Sequence, residues 1–458
     1  MRQVNDNMRL PCQPPARPCH NRVAMTVSRA PSSTGIALPV AIQSIEDTGL
    51  PFAFVSDLVL KTLYFTGSML GRDLSNHLCL PFPVIETALK FLADEGYISA
   101  AGVQTSVLSR GEAIGAGMQY FISSAGRQRT REILMLNQYA GPAPVTIEDY
   151  RSLVEQQSSR GVVVNRQMLK DACKNIVVTD KVLDGFGPAL NAGHATFVYG
   201  PPGNGKTTIV ERIAPLLGDP IFVPRALYVQ GEVIRFFDPL HHAPITEELP
   251  DYDMRWQLVE RPVVKVGGEL IPEMLDLRFD PTLGFYEASL QMKANGGIFF
   301  IDDFGRQQYL SPAALLNRLI VPLENGIDYV NVARIGTSVA VPFTCQLILS
   351  TNLQPQNLMD EAFLRRVRFK VHVDNPTVDE YREIWKTVCK NENIKHEPAS
   401  IEYLIQEHYM RSKRAFHGVH PRDLLNHLIH IASYLGVEPT LSHELIDAAC
   451  RTYFVDVD

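Results

Sequence analysis

The chain has 458 residues, with 43 Lys plus Arg against 50 Asp plus Glu for a net charge of −7, and is 20% charged and 45% hydrophobic. That length exceeds what one hydrophobic core usually organises, so two or three domains are expected, and the acidic balance excludes a global attraction to nucleic acid or anionic lipid, leaving only local patches. No uninterrupted apolar stretch reaches the roughly 20 residues that span a bilayer, and no apolar signal region precedes a cleavage site, so the expected setting is the cytoplasm.

Residues 1–45, rich in Pro, Ser, Arg and Asn, read as a disordered leader, with Met25 as an alternative start. Within it Cys12, Cys19 and His20 lack a second pair of ligands, and the seven cysteines show no CxxC spacing, so neither a metal site nor a disulfide framework is expected. Over 46–140, Val55, Leu58, Val59 and Leu63 repeat at helical spacing, and Leu74 and Leu78 mark a second short helix. A third opens at Pro83 with Ile85, Ala88, Leu89 and Leu92 on one face and Gly96 to stop it. A strand over 118–122 and a helix from Ala125 to Leu136 come next; the order resembles a winged helix. Residues 141–165 read as a linker with one helical piece, PAPVTIEDYRSLVEQQSSRG. From 166 to 375 apolar strands alternate with helices, the pattern of a parallel sheet flanked by helices, and 376–458 is helical and amphipathic.

The strongest signal is GPPGNGKT, comprising Gly200, Pro201, Pro202, Gly203, Asn204, Gly205, Lys206 and Thr207, with Thr208 next. ATFVY before it is a strand-type run and TTIVERIAPLL after it an amphipathic helix, so the strand-loop-helix context of a phosphate-binding P-loop is met. Glycines let backbone N–H groups curl round phosphates, Lys206 supplies charge, and Thr207 would hold Mg2+. In GGIFFIDDFG, four apolar residues, Ile298 to Ile301, lead to two carboxylates. Asp302 is the expected Mg2+-anchoring acid and Asp303 the base that orients an attacking water.

Together with three further segments downstream, these motifs resemble the AAA+ ATPase superfamily over 165–458. QLILSTNL, ending in Thr351 and Asn352, resembles its sensor-1 strand, which implies that Asn352 lies between the second acid and the γ-phosphate. MDEAFLRRVRFKVHV resembles the segment that delivers an arginine finger into a neighbouring subunit, implying Arg365 or Arg366; a surface pairing with Asp360 and Glu361 is the plain alternative. GVHPRDLL sits where the lid carries sensor 2, implying Arg422. The alternating segments of NGIDYVNVARIGTSVAVPF, and the long stretch over 225–296, resemble the hairpin and insertion of the MoxR and magnesium-chelatase-like branch; no GAFTGA loop is present. Trp256, with Tyr252 and Arg255, reads as a packed aromatic or part of an insertion loop. One departure stands out: Asp303 occupies a position where the family usually has Glu.

The resemblance implies an α/β P-loop AAA+ core, a C-terminal helical lid and an N-terminal winged-helix-like module. It further implies ATP and Mg2+ as cofactors and a homo-oligomer, a hexameric ring, without membrane insertion. Hydrolysis would drive chaperone-like remodelling or assembly of a protein client. One alternative is a winged-helix DNA-binding regulator using Arg110, Arg127, Arg129 and Arg131; residues 51–150 carry seven basic and nine acidic side chains, so the basic ones would have to be focused. The other is a nucleotide-gated scaffold with little hydrolysis, motivated by Asp303.

Overall fold

The computed structural model describes residues 36–103, 114–159, 162–247, 249–355, 358 and 365–454. The leader up to residue 35, including Cys12, Cys19, His20 and Met25, lies outside the described residues, as do Arg110, Asp360 and Glu361.

The chain opens with α1 (Phe52–Thr66), β1 (Ser68–Leu70), α2 (Gly71–Leu78), α3 (Phe82–Asp94), β2 (Ile98–Val103), β3 (Met118–Ile122) and α4 (Ser124–Leu136). Val55, Leu58, Val59 and Leu63 of α1 are buried against Ile85, Ala88, Leu89 and Leu92 of α3. Pro83 stands in the first turn of α3, where its missing N–H costs nothing. Ser123 caps α4 by accepting from the Gly126 N–H at 3.0 Å. The three strands form an antiparallel sheet in the order β1-β3-β2.

Next come β4 (Val145–Thr146), α5 (Ile147–Gln156), α6 (Arg166–Ala172), α7 (Asp180–Ala192), β5 (Thr196–Tyr199), α8 (Lys206–Ile213), β6 (Ile221–Pro224), β7 (Ala226–Val229), β8 (Glu232–Arg235), β9 (Trp256–Val259) and β10 (Val263–Val266). They are followed by β11 (Arg278–Asp280), β12 (Phe285–Glu287), α9 (Leu290–Lys293), β13 (Ile298–Ile301), α10 (Pro312–Asn325), β14 (Ile327–Val332), β15 (Thr337–Pro342), β16 (Gln346–Thr351) and β17 (Phe369–His372). The central sheet runs β10-β13-β16-β5-β17, every neighbour parallel. Strands buried on both faces need helices on both sides. Phe299 and Ile301 pack with Leu315, Leu316 and Leu319 of α10, while Ile298 and Phe300 pack with Phe186 of α7 and Ile209 and Val210 of α8.

Between the P-loop helix and β13 the chain builds four strands of a second, mixed sheet, β11-β12-β8-β7-β4, whose edge strand β4 comes from before the P-loop, and pairs β6 with β9. β14 and β15 form a six-pair antiparallel hairpin whose side chains alternate exposed and buried along β14. Trp256 is buried in β9, a packed aromatic.

The C-terminal region comprises α11 (Val378–Asn391), α12 (Pro398–Leu404), α13 (His420–Leu435) and α14 (His443–Tyr453). Thr377 and Glu380 close a capping box on α11. Tyr381, Trp385, Tyr409, Leu425 and Leu428 sit in a core of this region's own. Among the described residues no helix is long and apolar enough to cross a membrane.

Two expected boundaries are corrected. Residues 145–157 are no linker: β4 pairs in parallel with β7, Tyr150 of α5 is fully buried with its hydroxyl accepting from Asn295 Nδ2 at 2.8 Å, and Gln157 accepts from the Phe222 N–H at 2.6 Å and donates to the Phe222 carbonyl at 3.0 Å. The segment is woven in because a two-residue strand and one amphipathic helix bury themselves on a sheet formed far away in sequence. Residues 36–45 likewise belong to the fold rather than to a disordered leader: Ile42 is buried, and Ile36 and Ala37 pack beside Trp256.

The N-terminal module and the second sheet also share one core, in which Ala226, Val233 and Phe285 pack with the side chains of α1 to α3. Arg255, only 2% exposed, fastens this junction. It pairs with Asp253 at 2.9 Å and donates from Nη1 to the Thr48 and Pro144 carbonyls, both at 2.9 Å. Removing one partner of a buried pair leaves an uncompensated charge. Arg255→Met is therefore expected to cost about 3–5 kcal/mol of unfolding free energy, measured by denaturant titration, with part of the loss recovered when Asp253→Asn is added.

Candidate functional site

β5 is short and buried and ends at Tyr199, where the loop 200–205 departs and α8 begins with Lys206. Two glycines are required by close approach. Gly200 has φ +141, and a Cβ there would lie 2.0 Å from the Val373 carbonyl; Gly203 has φ +75, and its Cβ would lie 2.7 Å from Val419 Cγ1. Half-buried Lys206 donates from Nζ to the Gly200 and Pro201 carbonyls, both at 2.9 Å. Burial holds its pKa below the usual lysine value, opposed by the nearby charges of Asp302 and Asp303. Thr208 is exposed in the first turn of α8.

Thr207 Oγ1 donates to Asp302 Oδ2 at 2.7 Å across 95 residues of sequence. Sheet register brings them together. β16 lies between β13 and β5, with Leu349 opposite Ile301 and Thr351 opposite Tyr199, so the ends of the three strands stand side by side. Asp302 follows β13, and its N–H donates to the Val266 carbonyl at 2.7 Å. Asp303 is exposed and left-handed at φ +47, and its N–H donates back to Asp302 Oδ1 at 3.0 Å.

The acid turn is gripped from two sides. Phe304, fully buried, donates its N–H to the Ser350 carbonyl at 2.7 Å and accepts from Thr351 Oγ1 at 2.8 Å. The Gln307 side chain accepts from the Gly305 N–H at 2.9 Å and turns its amide nitrogen toward the Asp303 and Asp302 carbonyls at 3.2 and 3.3 Å. Beyond Thr351, Asn352 Oδ1 is buried without a hydrogen-bond partner among the described residues. A buried amide oxygen in that state is an acceptor waiting for a donor, such as a water or a ligand group.

The three candidate arginines are exposed. Arg365 and Arg366 are exposed just before β17, and Arg366 pairs with Glu324 at 2.7 Å. Arg422, in the first turn of α13, has a 65% exposed side chain and pairs with its neighbour Asp423 at 3.2 Å. The segment before α13 instead touches the P-loop: His417 Nδ1 donates to the Pro202 carbonyl at 3.0 Å, the Gly418 N–H to Asn204 Oδ1 at 2.9 Å, and the Val419 N–H to the Gly203 carbonyl at 2.7 Å.

Reasoning from sequence missed Gln307 and Asn375, whose Oδ1 accepts from Asn204 Nδ2 at 2.8 Å, and it marked Gly418 and Val419 only as the start of GVHPRDLL, not as contacts of the P-loop. No local pattern in the sequence signals Gln307 or Asn375.

The site's donor set fits MgATP. A threonine hydroxyl and a carboxylate converge at the start of α8, a lysine caps two loop carbonyls, and a buried amide oxygen lacks a partner among the described residues. Among the described residues no group of three or more His, Cys, Asp or Glu is gathered for a metal.

One family model matches residues 377–452 and is described only as a domain of unknown function (DUF8689). No curated protein matches the chain in sequence. Among solved structures, the Thermotoga maritima RuvB Holliday junction branch migration motor is similar at 16% identity and a TM-score of 0.35, over 61% of this chain and 71% of that one. A proline-to-glycine point mutant of the same RuvB is similar at 14% identity and a TM-score of 0.37, over 60% of this chain and 71% of that one. NtrX from Brucella abortus, solved in complex with ADP, is similar at 14% identity and a TM-score of 0.38, over 63% of this chain and 60% of that one. Likenesses this distant assign no family.

Proposed function

We propose that the chain is an AAA+ Mg-ATPase whose site is completed by a neighbouring subunit of a homo-oligomeric ring, and which remodels or assembles a protein client. The observation that carries this reading is the 2.7 Å contact of Thr207 with Asp302, made across the end of the intervening strand β16, beyond which the Asn352 amide oxygen is buried with no hydrogen-bond partner among the described residues. The hairpin β14–β15 directly before β16, and the second sheet inserted between α8 and β13, support the MoxR and magnesium-chelatase-like branch.

When bound, MgATP supplies the phosphoanhydride to be cleaved and a cation that neutralises its charge. Lys206 exchanges two carbonyl contacts for phosphate oxygens, a gain because those carbonyls are poorer partners than anions. Thr207 and Asp302 already share a hydrogen bond and hold the ion's side of the site. Asp303 accepts the proton side of the attacking water, oriented with Asn352. Arg365 and Arg366, exposed on their own subunit, provide the cation that crosses to the next subunit's site, making hydrolysis depend on assembly.

A protein client is favoured over DNA by the surface of α3, the position of a recognition helix in a helix-turn-helix arrangement. It carries Glu86, Lys90 and Asp94, followed by Glu95, with Lys90 already paired to Glu86 at 3.2 Å. Exposed Phe91 meets exposed Phe52 edge-on at 5.3 Å, an aromatic surface of the kind protein interfaces favour. Of the basic residues on α4, Arg129 is paired with Glu132.

Turnover per subunit is expected to rise with protein concentration, to vanish in Lys206→Ala, and to fall at least about a hundredfold in Arg365→Ala plus Arg366→Ala, on the scale of arginine-finger losses. Steady-state assays across a dilution series check this; concentration-independent turnover that survives the double substitution contradicts it. A second expectation concerns Lys206. Its pKa is held low before binding and is raised by the phosphates, so nucleotide binding takes up protons at alkaline pH, and affinity falls as pH rises through the bound-state pKa. Calorimetry in buffers of different ionisation enthalpy measures the uptake, which Lys206→Arg is expected to abolish.

A further inference from the structure

As part of the P-loop Asn204 is expected to contact nucleotide, yet both ends of its side-chain amide are committed to protein. Its Nδ2 donates to Asn375 Oδ1 at 2.8 Å, in the connection between β17 and α11, and its Oδ1 accepts from the Gly418 N–H at 2.9 Å, two residues before α13. A backbone N–H can only donate, so the partner at Gly418 must be the amide oxygen. On either side, the Pro202 carbonyl accepts from His417 and the Gly203 carbonyl from Val419. Val419 also packs where any Cβ on residue 203 would stand. The loop is thus fastened at once to the entry of the helical region and to the start of α13, 171 and 214 residues away in sequence.

We propose that Asn204 is a positioning residue: its amide clamps the start of α13 onto the P-loop and thereby sets Arg422, three residues beyond Val419, relative to bound nucleotide. Docking of the C-terminal helices and nucleotide occupancy are then two readings of one equilibrium, joined through a loop side chain rather than through the phosphates alone. Asparagine suits the task because one planar group offers a donor and an acceptor. Aspartate keeps the acceptor for Gly418 and loses the donor for Asn375, and alanine loses both. The coupling rests on the nucleotide-binding reading of the loop; the clamp itself rests on the two hydrogen bonds of the Asn204 amide.

The test uses the full chain in two arms. Hydrogen exchange without nucleotide follows the peptide containing Gly418 and Val419: Asn204→Ala is expected to speed its exchange about tenfold, the scale of two ordinary hydrogen bonds, and Asn204→Asp to speed it less. Affinity for a fluorescent, non-hydrolysable ATP analogue is then measured for the parent, Asn204→Ala, Arg422→Ala and the pair. Asn204→Ala is expected to weaken binding about tenfold, and the pair to bind no more weakly than Arg422→Ala alone, because a misplaced arginine is already lost. Unchanged exchange in Asn204→Ala overturns the clamp, and multiplicative losses in the pair overturn its action through Arg422. A parent that fails to bind the analogue overturns the nucleotide reading and the coupling with it, whereas equal binding by parent and Asn204→Ala overturns the inference alone.

Discussion

The hydrogen bond from Thr207 Oγ1 to Asp302 Oδ2 is the constraint on which the rest of this structure turns. It requires that β5 and β13, separated by about a fifth of the chain, end at the same level of one parallel sheet with only β16 between them. The sheet satisfies it through apolar strands buried on both faces, which have no solvent side to slip toward. The interposed strand then carries its own polar end, Thr351 and Asn352, to the same edge. One register therefore positions a loop, an acid pair and a sensor-like amide together.

Around that edge the protein divides into parts tied differently to the site. The N-terminal module, the second sheet and α5 share buried side chains and the Arg255 junction, so they move together with that sheet. The C-terminal helices have their own aromatic core and reach the P-loop mainly by hydrogen bonds from 417–419 and Asn375. Hydrogen bonds at a surface are exchangeable for water at small net cost, whereas a shared apolar core is not. The helical region, which carries Arg422, is accordingly held to the P-loop by the more exchangeable kind of contact. At Asp303 the carboxylate is one methylene shorter than glutamate, and it stands on a left-handed backbone flanked by contacts of Phe304, Thr351 and Gln307.

Much of this was legible in the sequence wherever the signal is local. The run before Gly200 and the helix after Lys206 are read from composition and period; the four apolar residues before Asp302 announce a strand buried on both faces; alternation from Ile327 to Val341 announces a hairpin. What stayed hidden is what depends on distant pairing. Val145 and Thr146 look like loop until β7 is present to receive them, and Ile36, Ala37 and Ile42 look like tail until a core is there to bury them. Arg255 reads as an ordinary charge, because neither the Thr48 nor the Pro144 carbonyl can be foreseen from its neighbours. The same holds for Asn204, whose side-chain amide is committed to Asn375 and Gly418, partners that its place in a recognisable phosphate loop does not announce.

The central claim, that Thr207 and Asp302 together form the ion's side of a nucleotide site, is tested most directly by the Mg2+ dependence of ATP binding. Calorimetric titration of ATP with and without Mg2+ is predicted to show tightening by Mg2+ in the parent, and loss of that tightening in Thr207→Val and in Asp302→Asn while metal-free ATP still binds. Mg2+ tightening that persists undiminished in both variants would contradict the account, whatever the turnover of the parent.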